Sequence, residues 1–127
     1  MQLGYIIHYV ENVEKTLAFY EAALGCTRRF LTPEGDYGEL DTGTTTLAFA
    51  SFALIASAGK NPARADVKAP SSEIAFVTED VATAYERALR AGAEAVQAPK
   101  EMPWGQSVAY VSDCDGFLVE ICTPVGS

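Results

Sequence analysis

The sequence predicts an α+β protein built of two tandem βαβββ modules, forming a curled mixed sheet around a cavity with the helices on its outer face. Three observations carry this. A strand, a capped helix and three short strands occur in that order twice, and a polar linker separates the two sets. The halves also superpose by simple sliding. A shift of 68 positions sets Ile6 on Ile74, Glu11 on Glu79, Asn12 on Asp80 and Val13 on Val81, and a shift of 72 lays DTGTTTLAF on DCDGFLVEI.

The first strand is LGYIIHYV, residues 3–10. A helix follows in NVEKTLAFYEAALG, where Val13, Leu17, Tyr20 and Leu24 fall at helical spacing, Asn12 is the N-cap and Gly25 the stop. CTRRFL, DYGELD and TTTLAFASF read as three short strands divided by PEG and TG turns. Residues 57–71, SAGKNPARADVKAPS, are polar and rich in Ala, Pro and Lys, as a linker is. The second half opens on the strand SEIAFV, then an Asp80 cap and a helix ending at Gly92. EAVQAP, QSVAYVS and FLVEICT complete it as strands. At 127 residues the chain is one domain, with module 1 at 1–56, the linker at 57–71 and module 2 at 72–127.

Composition bounds the function. Hydrophobic residues make up 49% and charged residues 20%, the balance of a globular protein. No apolar run approaches a membrane span, and MQLGYIIHYVENV lacks the marks of a signal peptide, so a cytoplasmic protein is expected. The formal net charge of −8 disfavours nucleic acid and anionic membranes as partners and favours cationic ligands. Cys26, Cys114 and Cys122 are odd in number and show no CxxC, which fits thiols rather than a disulfide frame or a structural zinc site.

Strand alternation makes the repeat geometric. Ile6 and Ile74 share one face, while Tyr5 and Glu73 share the other. In the last strand Phe117, Val119 and Ile121 form the apolar face, leaving Leu118, Glu120 and Cys122 opposite. Ala48 is the partner of Glu120. If each helix covers its own module's apolar face, Tyr5, Ala48, Glu73 and Glu120 surround a shared hollow. Glu39 is left unassigned, because the two halves suggest different faces for it.

YIIHYVENVEKTLAFYEAALG, EIAFVTEDVATAYERALRAGA and PWGQSVAYVSDCDGFLVEI resemble the vicinal oxygen chelate superfamily of glyoxalases, extradiol dioxygenases, fosfomycin-modifying enzymes and bleomycin-resistance proteins. The last stretch resembles the family's DPDG turn and Glu-bearing strand, with Cys114 in place of Pro. The resemblance implies metal ligands at the positions of Tyr5, Ala48, Glu73 and Glu120, usually His or Gln, Glu, His and Glu. Only Glu120 keeps the usual type, so no cofactor is favoured. A metal, if used, is a weakly held Mg²⁺ or Mn²⁺ on Glu73 and Glu120.

The remaining candidates follow from chemistry. Glu73 and Glu120 form a carboxylate pair for a cationic ligand, or Glu73 is a general base; the plainer reading is a hydrogen-bonded strand end. The fosfomycin-modifying enzymes are similar in carrying a pocket Tyr at the place of Tyr110. Trp104 suits stacking at a rim, or closes the edge of the core. Cys122 shares the face of Glu120, with no histidine to activate it. Tyr37 and Phe52 are weaker pocket candidates. His8, the only histidine, is expected to pack beneath a helix or at its edge. The expected function is binding and sequestration of a cationic aromatic small molecule by a homodimer, as in antibiotic-resistance members of the family. The alternative is a glyoxalase-like lyase or isomerase, with a loosely held metal or with Glu73 as base.

Overall fold

In the computed structural model, which describes residues 1–126, the chain forms two compact units, Met1–Arg64 and the stretch from Ala65 onward. Each unit carries one four-stranded mixed sheet. The first contains β1 (Tyr5–Val10), α1 (Val13–Leu24), β2 (Thr27–Leu31), β3 (Tyr37–Asp41), β4 (Thr46–Ser51) and α2 (Phe52–Ser57). The second contains β5 (Glu73–Val77), α3 (Val81–Arg90), β6 (Glu94–Glu101), β7 (Ser107–Ser112) and β8 (Leu118–Cys122). The sheet orders are β1-β4-β3-β2 and β5-β8-β7-β6, so both modules have one topology. No helix is long and apolar enough to cross a membrane.

The register repeats as well. The first strand of each module runs parallel to the last, with Tyr5 opposite Thr46 and Ile7 opposite Ala48, as Glu73 is opposite Leu118 and Ala75 opposite Glu120. These pairs are the ones that shifts of 68 and 72 demand.

Helix α1 starts where Asn12 accepts from the Lys15 amide at 3.0 Å and stops at Gly25, which takes the left-handed φ of 68°. Its Val13, Leu17 and Tyr20 are fully buried, with Leu17 and Val13 against β3 at Gly38. A Cβ on Gly38 would stand 2.6 Å from Leu17 Cδ1 and 3.0 Å from Val13 Cγ1, so glycine is what lets α1 lie this close to β3. Arg28 of β2 ties the helix down from outside, pairing with Glu14 at 2.6 Å and Glu21 at 2.9 Å. Helix α3 is capped in the same way by Asp80, which accepts from the Thr83 amide at 3.1 Å, and packs on β6, β7 and β8. Val111, Val119 and Ile121 are buried there, as the apolar pattern requires.

Two elements depart from expectation. TTTLAFASF does not continue as a strand through Phe52; β4 ends at Ser51 and the chain turns into α2. Ser51 causes the change, because its hydroxyl accepts from the Leu54 amide at 3.1 Å and caps the new helix. Strand β6 also runs to Glu101, past the expected EAVQAP. His8 is half-buried, edge-on to Phe49 of the neighbouring strand with ring centroids 6.2 Å apart.

Candidate functional site

The sheet face turned away from the helix is where both modules gather polar groups. In the second module β5, β8 and β7 supply three of them. The Tyr110 hydroxyl lies 2.9 Å from Glu120 Oε1 and 3.3 Å from Glu73 Oε2, donating to the carboxylates. Tyr110 is directly opposite Glu120 in the antiparallel β7–β8 pair, which places both side chains on one face. Glu73 reaches them from the edge strand β5 and stays exposed, so the cluster is open to solvent on one side.

Two carboxyl groups this close cannot both be charged without penalty. The hydrogen bond with Glu120 raises the Glu73 carboxyl above its ordinary value. Burial and the Glu120 charge push the same way, against an opposing Tyr110 contact. Burial alone would raise Glu120 too, but hydrogen bonds with Glu73, Cys122 and Tyr110 outweigh it and hold Glu120 below the usual carboxylate value. The two shifts run in opposite directions, so Glu73 is the carboxyl that keeps its proton to higher pH and Glu120 the one that loses it first. Burial and then the Glu120 carboxylate raise the Cys122 thiol to about 11, which makes it a poor nucleophile and a plain hydrogen-bond donor.

The network extends to the rim. Gln106 contacts Cys122, donates through Nε2 to the Thr123 carbonyl at 2.8 Å, and accepts the Trp104 indole N–H on Oε1 at 2.8 Å. Trp104 is 61% exposed, so it is a rim residue and does not close the edge of the core. Glu73, Tyr110, Glu120, Cys122 and Trp104 thus belong to one hydrogen-bonded chain, and Gln106 is the link that the sequence reading missed. Its position two residues after Trp104, across a glycine, was the only available signal.

The other expected residues lie in the first module. Tyr5 is 56% exposed on edge strand β1. Phe52, carried onto α2, lies under the Arg64 guanidinium at 5.0 Å, and Arg64 pairs with Glu11 at 2.8 Å. Ala48 is fully buried. Glu39 is now placed: Gly38 faces α1, so Glu39 and Tyr37 point to the opposite face, where Glu39 sits opposite Ala48 as Tyr110 sits opposite Glu120. The Tyr37 hydroxyl donates to Glu39 at 2.7 Å, and Arg29 pairs with Glu39 at 3.1 Å and also donates to Thr46. Burial, then the Glu39 carboxylate, pushes the Tyr37 phenol well up. The sequence showed Arg29 only as one of two adjacent arginines.

The model of the Glyoxalase/Bleomycin resistance protein/Dioxygenase superfamily matches residues 2–121. The chain belongs to that superfamily. Among relatives, the lactoylglutathione lyases of Neisseria meningitidis serogroup A strain Z2491 and serogroup B strain MC58 are each 32% identical to it over 128 residues, covering 94% of this chain and 88% of theirs. The fold is shared with a glyoxalase-related enzyme from Fulvimarina pelagi, at a TM-score of 0.83 and 21% identity over 98% of this chain and 88% of that one. A glyoxalase/bleomycin resistance protein/dioxygenase family enzyme from Burkholderia phytofirmans PsJN gives a TM-score of 0.80 and 19% identity, covering 97% and 98% of the two chains.

The donors present do not fit the metal centre that the superfamily's ligand pattern implies. Ala48 has no ligand atom, and the Glu73 and Glu120 carboxylates are both taken up by the Tyr110 hydroxyl. Among the described residues no group of three or more His, Cys, Asp or Glu is placed to hold a metal ion.

Proposed function

We propose that the chain binds and sequesters a small organic ligand that is cationic and flat, with the Glu73–Tyr110–Glu120 cluster as the polar centre of the site and Trp104 as its stacking surface. The observation that carries this reading is the single hydrogen-bonded chain from Trp104 through Gln106 and Cys122 to the carboxyl pair. It holds an exposed aromatic and an open acidic group in fixed relation, which lowers the ordering cost of binding. The net charge of −8 adds long-range attraction for cations. Titration of Trp104 fluorescence with cationic aromatic amines tests it, with Trp104→Phe to show the origin of the signal and Glu120→Gln to remove the charge. Quenching that Glu120→Gln weakens about tenfold is expected. An absence of response to every amine, in fluorescence and calorimetry alike, overturns the reading.

A second reading is a lyase or isomerase in which Glu73 moves a proton. The raised Glu73 carboxyl, poised near Tyr110, favours it, and so do the relatives named lactoylglutathione lyase. Turnover of hemithioacetals, with and without added Mg²⁺ or Mn²⁺, that disappears in Glu73→Gln would establish it over sequestration.

The working form in this proposal is a homodimer in the cytoplasm. Exposed Tyr5, Ile7 and Phe30 in the first module give a second copy apolar surface to cover. Reducing surroundings would keep the three cysteines as thiols, outside any disulfide. Sedimentation at micromolar concentration checks the dimer.

A further inference from the structure

At the start of the second sheet, Pro70, Ser71, Ser72, Glu73 and Leu118 line an open depression of about 240 Å³. Glu73 and Leu118 are opposite one another where β5 and β8 begin, and Pro70 to Ser72 lead into β5. Glu73 therefore has two sides. One meets Tyr110 and Glu120; the other forms part of this wall.

The lining is chemically selective. Among its lining residues Ser71 and Ser72 carry hydroxyls and Glu73 a carboxylate, three side chains with oxygen acceptors in sequence, beside apolar Pro70 and Leu118. A primary ammonium carries three N–H donors and no acceptor, so it matches that set in number and in sign. A quaternary ammonium carries the same charge and no donor, and leaves all three acceptors unmatched. The volume lies below the roughly 300–1,000 Å³ typical of sites that enclose a drug-sized ligand, so the depression suits a head group and short stem.

Resting on the ligand-binding reading above, we infer that this depression is the head-group subsite, and that it selects primary amines over quaternary ones through Ser71, Ser72 and Glu73. The ammonium keeps its three protons on binding. No covalent bond forms or breaks in the ligand. The groups facing Glu73 are Glu120 of β8 and Tyr110 of β7, with Ser71 and Ser72 in its own approach segment. Neither of the first two is a cation that would compete with the amine.

The test is calorimetric titration of the full chain with benzylamine and with benzyltrimethylammonium, which share an aromatic ring and a charge. The expected result is benzylamine binding at least tenfold tighter, a preference that Glu73→Gln reduces. In the Ser71→Ala/Ser72→Ala double variant the preference should shrink to about twofold or less. Both serines are exposed, so that variant leaves the core unchanged. Equal binding of the two compounds, dependent on Glu120, overturns the head-group subsite and leaves the site's cation binding standing. Binding of neither overturns both. A preference for benzylamine that survives the double serine variant overturns the assignment to this depression.

Discussion

Glu120 and Ala48 occupy equivalent places in two modules of one topology, and that difference sets the chemistry of each face. Opposite Glu120 stands Tyr110, a donor for its charge; opposite Ala48 stands Glu39, whose charge is met by Arg29 and Tyr37 instead. Tyr110→Phe should therefore cost about 1 kcal/mol of stability by removing a donor from the half-buried carboxylate, measurable by urea denaturation. The cysteines separate by environment as well. Cys114 is exposed in its turn, whereas Cys122 is buried and its thiol titrates near 11. Iodoacetamide at pH 8 should label Cys114 and spare Cys122 in the folded protein, as peptide mass spectrometry would show. The repeat made the facing of Glu73 and Glu120 legible in the sequence, because strand parity transfers between copies. Gln106, Arg29 and Glu39 were not legible, since long polar side chains find partners across strands that no local pattern specifies.

Among the elements, the capped helices were legible and the short one was not. Asn12 and Asp80 each stand directly before a helix-spaced apolar set, and each cap forms. Asn12→Ala should lower stability by about 1 kcal/mol, read from the urea midpoint. Helix α2 escaped because β4 is buried along its whole length. Such a strand reads as an unbroken apolar run, and periodicity cannot tell where that run passes into helix. The packing of α1 on β3 adds a sharper expectation. A methyl at position 38 must displace Leu17, which is fully buried, so Gly38→Ala should cost about 1–3 kcal/mol and lower the thermal midpoint.

For the molecule as a whole, the carboxyl pair links stability to pH. The raised Glu73 carboxyl contributes stability that is present below its unfolded value and lost as pH rises through the folded one. The lowered Glu120 carboxyl acts in reverse, contributing above its unfolded value and failing as pH falls through the folded one. Glu73→Gln imitates the protonated form permanently. Its thermal midpoint should exceed that of the wild type at pH 8 and match it near pH 4; a deficit at both would show that losing the Glu73 proton does not destabilise the fold. The two modules also differ in length at one informative place. Phe30 pairs with Glu39 across the first hairpin and Gln97 with Tyr110 across the second, and the second span is longer by four residues, in the stretch containing Trp104. The added length extends the β6–β7 ladder, which continues through Lys100 opposite Val108 to Glu101 opposite Ser107, so the turn bearing Trp104 stands at the end of a longer two-stranded ribbon than the turn of the first hairpin.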